Sequence, residues 1–253
     1  MRKSIIGLSA VSLLALATPA FAEDEAPAFK ITGSAALVSD YRFRGFSQSG
    51  ENAAVQGSIN INHESGFYVG TWASSISFAG NTEVDLYAGY TKAVAPGVTV
   101  DVGLLYYLYP KHGGTNTDFF EPYVNLTGAV GPATVKVGVN YAWAQSALLD
   151  GAGKKSSAVY FHAEPSITIP NTPLSLDAHV GYAVSDAFPG GYGRDHHVWD
   201  YSIGGAVAYK NLSLGVHYVD TDEQRYRSGA LAGLGAENVG ADGAVIFSLT
   251  ASF

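Results

Sequence analysis

From Val55 onward, apolar and polar residues trade places at every second position, the period of strands with two chemically different faces. Val55, Gly57, Ile59 and Ile61 alternate with Gln56, Ser58, Asn60 and Asn62. Val84, Leu86, Ala88 and Tyr90 alternate with Glu83, Asp85, Tyr87 and Gly89, and the pattern returns through residues 98–108, 134–143 and 174–182. No segment sustains a helical period. The pattern predicts twelve strands, centred near Leu37, Ile59, Gly70, Leu86, Val102, Val124, Val137, Ala163, Ala178, Ile203, Leu214 and Leu249.

The connections between them alternate in length. Residues 63–66, 94–97, 131–132, 170–173 and 210–211 are short turns rich in Gly, Pro and Asn, residues that suit tight backbone reversals. Residues 45–52, 74–81, 110–117, 145–156, 185–196 and 221–242 are longer and more polar. Short periplasmic turns opposite long extracellular loops characterise membrane-spanning barrels. The expected fold is therefore all-β: a transmembrane antiparallel up-and-down β-barrel of about twelve strands. Two features strain this pattern. Pro122 and Pro165 fall inside the sixth and eighth strands, and a closed barrel has no edge to hide a missing donor, so bulges or strand ends are expected there. The third strand, residues 67–73, does not reveal which face is outside.

A soluble sandwich or lipocalin-like barrel would also alternate, with its apolar face inward. Composition weighs against it. Only 14% of the residues are charged, against roughly 25% in ordinary globular proteins, yet charges recur on the polar faces of the strands. Aromatic residues gather near strand ends, at Tyr41, Phe43, Tyr90, Tyr106, Trp143, Tyr182, Trp199, Tyr209 and Tyr218, where interface girdles are expected.

The first residues read as an export leader. Arg2 and Lys3 precede the apolar run 4–17, Thr18-Pro19 breaks it, and Ala20-Phe21-Ala22 has the small-x-small pattern of a cleavage site. The run is shorter than the roughly 20 apolar residues of a spanning helix. Cleavage after Ala22 is expected, leaving residues 23–253 as the barrel domain. Loss of Arg2 and Lys3 takes the formal charge from −8 to −10, a balance that argues against a nucleic-acid partner. Cysteine is absent although an exported protein can form disulfides, so stability is expected from another source.

Val245, Phe247, Leu249, Ala251 and Phe253 share one face of the final strand. An aromatic terminus preceded by apolar residues at every second position resembles the C-terminal targeting strand of bacterial outer-membrane proteins. That resemblance implies recognition by the barrel-assembly machinery through the strand ending in Phe253, and an integral place in outer-membrane lipid. Three other segments, 39–49 (SDYRFRGFSQS), 66–74 (GFYVGTWAS) and 83–90 (EVDLYAGY), resemble the TorF-like porin family of outer-membrane proteins. The resemblance covers the N-terminal third and implies a porin, without naming a solute.

With the apolar face toward lipid, the polar face lines the interior. Arg or Lys on the lipid side costs about 2–4 kcal/mol at mid-bilayer, so Arg42, Arg44 and Lys136 are expected inside. There they join Asp40, Glu83, Asp85, Asp101, Glu121, Glu164, Asp177 and Asp200. Arg42 and Arg44, on an outward-running first strand, are expected level with Glu83, Asp85, Glu121 and Asp200. Opposed cationic and acidic walls would form a constriction with a transverse field. The plainer reading is that such charges pair to brace the barrel. Twelve strands lie between the filled eight-stranded and the water-filled sixteen-stranded barrels, and Tyr107, Tyr123 and Tyr160 would narrow the passage further.

His162 with Glu164, and Asp177 with His179, face inward on adjacent strands, and His217 follows two strands later. Ser166 and Ser175 leave a hydrolytic triad open, but a lipid hydrolase would carry its site on the outer wall, where no such cluster occurs. The histidines lack the tight spacing of metal ligands. The glycine-rich run 189–193 has no helix after it to make a phosphate cradle. No catalytic set, metal or cofactor is expected. The leading reading is a passive channel for small solutes, with an inward acidic excess that favours cations. The alternatives are a closed structural or adhesive barrel and, less favoured, an outer-membrane lipid hydrolase.

Overall fold

The computed structural model describes residues 28–110, 117–150, 152–187, 196–223 and 240–253. The expected leader, the run 189–193 and most of the connection 221–242 lie outside the described residues. In chain order the strands are β1 (Phe29–Val38), β2 (Arg42–Phe43), β3 (Phe46–Ser47), β4 (Ala54–His63), β5 (Phe67–Ser75), β6 (Thr82–Ala95), β7 (Val98–Leu108), β8 (Phe119–Val130), β9 (Ala133–Ala142), β10 (Ala158–Thr168), β11 (Leu174–Ser185), β12 (His197–Tyr209), β13 (Leu212–Thr221) and β14 (Ala244–Ser252).

Twelve of them, β1 and β4 to β14, form one closed antiparallel barrel, and β2 and β3 make a separate two-stranded hairpin. Every strand centre read from the period-two pattern falls within one of the twelve. The ring closes where β1 meets β14, from Ser34 opposite Ser252 to Val38 opposite Ser248. Closure matters physically, because an open edge in lipid would leave unpaired backbone donors and acceptors.

The alternation sorts the two faces. Val55, Ile59, Leu104, Val180, Ile203 and Phe247 are exposed on the outside, while Gln56, Asn60, Tyr87, Leu105, Tyr107 and Thr250 are buried inside. Strand β5, ambiguous in sequence, turns Phe67 and Val69 outward and buries Tyr68. Two aromatic girdles ring the outer surface. On the loop side Tyr106 stacks on Phe120 at 4.4 Å and Tyr182 lies 4.4 Å from Trp199. On the turn side Phe67 meets Tyr90 at 4.8 Å, with Tyr209 and Phe253 both 70% exposed. An apolar outside with aromatic rims and a polar inside is the arrangement of a transmembrane barrel.

The five short turns use the backbone conformations their residues suit. Gly66, Gly97, Gly131, Asn171 and Lys210 all have positive φ. Of the two prolines, only Pro165 departs from expectation. Pro165 stays in register opposite Val135 with no bulge; only the ladder to β11 is interrupted, between Ala163 and Ser166. Pro122 lies opposite Leu104, just beyond the end of the β8–β9 ladder at Tyr123. A register irregularity occurs instead between Ala93 and Ala95, beside the 96–97 turn.

One larger correction concerns the first strand. The wall ends at Val38, and the chain then turns into the barrel. Tyr41 is buried rather than placed at the membrane interface, and Phe43 packs against the interior cluster around it. Arg42 and Arg44 lie on the internal β2–β3 hairpin, so the barrel has no cationic wall at that point.

Candidate functional site

The internal hairpin follows from its own chemistry. Arg44 and Gly45, between Phe43 and Phe46, have φ of 50° and 84°, the paired positive values of a tight hairpin turn whose twist matches its strands. Asp40 organises the segment: it accepts from Arg42 Nε at 2.5 Å, Ser47 Oγ at 2.6 Å and Ser49 Oγ at 2.8 Å. Alternation of aromatic and charged residues therefore suits two structures equally. On the wall it would divide lipid from lumen; in the hairpin it divides the tyrosine cluster from Asp40.

The hairpin is tied to three separate parts of the ring. Tyr41 donates to Glu83 on β6 at 2.9 Å. Arg44 donates to Glu121 on β8 at 2.6 Å, and its guanidinium lies 4.1 Å from the Tyr160 ring centre and 4.7 Å from that of Phe43. Arg42 donates to the carbonyls of Gly240 and Asp242 at 2.5 and 3.1 Å, and Ser47 N–H donates to the Gly240 carbonyl at 2.7 Å. The last residues of the long 221–242 connection thus reach inside. Gly45 fits so closely against β13 that a Cβ would stand 2.2 Å from Thr221 Cγ2. At this level the cross-section is filled: Phe46 and Glu121 are 1% exposed, and Glu83 is 2% exposed.

Below the hairpin, a polar network descends the β9–β13 wall. Lys136 pairs with Glu164 at 2.5 Å, and His162 approaches the other oxygen of Glu164 at 2.9 Å. His179 meets Asp200 at 2.9 Å, and the Tyr160 hydroxyl contacts both, at 2.8 Å from His179 and 3.0 Å from Asp200. His217 meets Asp177 at 2.9 Å. This wall stays partly wet, since the side chains of Glu164, His179 and His217 are 23%, 21% and 27% exposed.

The opposite wall has carboxylates without cations. Asp101 accepts from Tyr68 at 2.7 Å and from Asn125 at 3.4 Å, while Tyr68 also hydrogen-bonds Tyr123. Tyr87 donates to Asn60 at 2.5 Å. Asp85 is buried, and its Oδ1 finds no partner among the described residues.

All the charged and histidine residues singled out from sequence face the interior. What differs is their grouping. Arg42 pairs with Asp40 and Arg44 with Glu121, so direct ion pairs replace the expected field between opposed walls. Of the expected level of Arg42 and Arg44 with Glu83, Asp85, Glu121 and Asp200, the structure shows Arg44 on Glu121 and the adjoining Gly45 against Asp200. Sequence reasoning missed Tyr41, Phe43 and Phe46 as lumen packing. The available signal was Arg44-Gly45 between two aromatic residues, a turn dipeptide inside an apparent strand. No group of three or more potential metal ligands occurs among the described residues.

Solved structures share this fold. The NanC porin aligns at 10% identity over 88% of this chain and 99% of its own, with a TM-score of 0.59. The KdgM porin aligns at 8% identity over 88% and 99%, with a TM-score of 0.54. The COG4313 outer membrane channel from Pseudomonas putida F1 aligns at 9% identity over 90% and 96%, with a TM-score of 0.51. At such low identity the likeness is one of architecture. No curated protein matches the sequence. The model of a family described as "Bacterial protein of unknown function (Gcw_chp)" matches residues 22–253, and the chain belongs to that family.

Proposed function

We propose that this protein is an outer-membrane channel for small solutes, constricted by the internal hairpin and selective for cations. The observation that carries the reading is the wet, charged β9–β13 wall inside a closed barrel. A barrel needed only as a brace gains little from side chains of Glu164, His179, Asp177 and His217 held partly in water. The names of the similar structures, and the TorF-like resemblance of segments 39–49, 66–74 and 83–90, agree with it. Export through the leader and insertion through the strand ending in Phe253 belong to the same proposal.

Cation preference follows from charge. Eight interior carboxylates face three permanent cations, Arg42, Arg44 and Lys136, each of which is already paired with a carboxylate. Asp177 and Asp200 meet histidines rather than permanent cations, and carboxylate-lined constrictions favour cations. The histidines are engaged with carboxylates inside the lumen, away from the lipid-facing wall that a lipid hydrolase would use.

Planar-bilayer recording tests the reading. Discrete openings with a cation-selective reversal potential are expected, and Asp177→Lys is expected to shift that potential more than Arg42→Gln, because Asp177 faces the wet wall. Silence from a folded, inserted barrel would refute the channel and leave a closed structural barrel.

A further inference from the structure

Above the hairpin, on the loop side, the barrel mouth holds a cavity of about 370 Å³, near the lower end of the size range for small-molecule sites. Its floor is the hairpin, through Phe43 and Arg44. Its walls include Phe119 and Tyr109, and Leu148 closes one side. That side is preformed. Leu148 N–H donates to the Gln145 carbonyl at 3.2 Å, Ser156 N–H donates to the Leu148 carbonyl at 2.8 Å, and Leu149 bridges to Lys155.

Two polar groups in this mostly apolar chamber lack partners. The Thr117 hydroxyl is buried without a hydrogen bond among the described residues. Arg44 uses Nη2 for Glu121, and among the described residues Nε and Nη1 have no acceptor. An arginine clamped between the Tyr160 and Phe43 rings, with donors to spare, presents a rigid hydrogen-bonding fork.

Charge then limits the occupant. Glu121, 2.6 Å from Arg44, already neutralises the guanidinium, and the unpaired carboxylates of β6 lie on the same side of the barrel, so an anion gains nothing on entering. A cation would meet the guanidinium itself. We propose that the vestibule binds a small uncharged amphipath: one ring or short chain whose apolar body fills the aromatic chamber and whose single acceptor oxygen takes the free donors of Arg44. This deepens the channel reading and rests on it for its place on a solute's path, but binding and conduction are measured separately.

The test uses the full barrel in detergent micelles, with p-cresol, toluene and benzoate as probes of matched size. Saturation-transfer NMR is expected to show saturable p-cresol binding. Toluene, which lacks the acceptor, should bind about tenfold more weakly, as loss of one hydrogen bond to a charged group implies, and benzoate should compete poorly. Ala147→Phe, which puts a ring into the chamber from its lining, should abolish the saturable signal. Arg44→Lys keeps the charge beside Glu121 but loses the fork, and should weaken p-cresol while leaving toluene unchanged. Three results would each overturn the proposal: p-cresol binding that never saturates or survives in folded Ala147→Phe, toluene equal to p-cresol, or benzoate the tightest. Saturable binding by a barrel that does not conduct would sink the channel and leave this site standing.

Discussion

The contact between Arg44 and Glu121 determines how firmly the hairpin is held, and its strength can be worked out before it is measured. The charged atoms are 2.6 Å apart, with side chains 7% and 1% exposed. At an effective dielectric near 20 their attraction is roughly 6 kcal/mol. Desolvation of both groups cancels much of that, so the meaningful quantity is the cost of leaving one charge alone, about 3–5 kcal/mol. Arg44→Met isolates this cost, since methionine keeps apolar contact with Tyr160 and Phe43 and bears the same positive φ. Glu121 would retain Asn140 Nδ2 at 2.9 Å and the Tyr107 hydroxyl at 3.2 Å, which places the expected loss at the lower end, about 3 kcal/mol. In the double variant Arg44→Met/Glu121→Gln no charge is stranded, and most of that loss should return. Urea unfolding of the barrel refolded into lipid vesicles, followed by tryptophan fluorescence and gel mobility, measures Arg44→Met, Glu121→Gln and the double variant. Strictly additive losses, or an Arg44→Met loss below about 1 kcal/mol, would mean that the pair is a loose surface contact and the hairpin is not anchored to β8.

Four further substitutions probe other parts of the argument. Gly45→Ala places a Cβ in the left-handed region and 2.2 Å from Thr221 Cγ2; it should destabilise the barrel by about 1–3 kcal/mol and, by displacing the hairpin, raise single-channel conductance. Gly181→Ala puts a Cβ 2.1 Å from the Tyr160 hydroxyl and 2.4 Å from Asp200 Oδ2; a loss of about 1–3 kcal/mol on unfolding in urea is expected, with Tyr160 forced off His179. Ile203→Lys, at a position 66% exposed on the outer wall of β12, should cost about 2–4 kcal/mol of stability in lipid, whereas Ser202→Lys on the inner face should cost much less; equal losses would mean that the faces are assigned backwards.

The sequence made the wall legible because lipid on one side and water on the other enforce opposite chemistry at every second residue. Twelve strand centres and the outward face of Ile59 or Val180 follow from that single constraint. The hairpin was hidden for the same reason. Tyr41, Arg42, Phe43 and Arg44 alternate as a wall strand would, and nothing in a period-two pattern separates a lipid-facing tyrosine from one packed at 5.2 Å against Trp72 in the lumen. Only long-range partners decide the matter, and Tyr41 meets Glu83 across 42 positions while Arg44 meets Glu121 across 77. Pro165 was misleading in a different way. A missing donor was expected to distort the strand, but the register holds on the β9 side and the gap is confined to the ladder with β11.

Anchoring at three points has a consequence for where a solute can pass. A loop held at one end could sweep the lumen, but this hairpin is tied to β6, to β8 and to the residues before β14. It therefore fills the cross-section at its own level, from buried Glu83 and Tyr107 on one side to Tyr160 and Thr221 on the other. The wetter wall lies below it, along β10 to β13, where the side chains of Glu164, Asp177, His179 and His217 are partly exposed. Below the hairpin any passage is lined by histidine–carboxylate pairs rather than by arginines. Selectivity should then depend on Asp177, which faces His217 and stays 17% exposed, more than on Arg42 or Arg44, whose charges are already matched within the hairpin and its anchor.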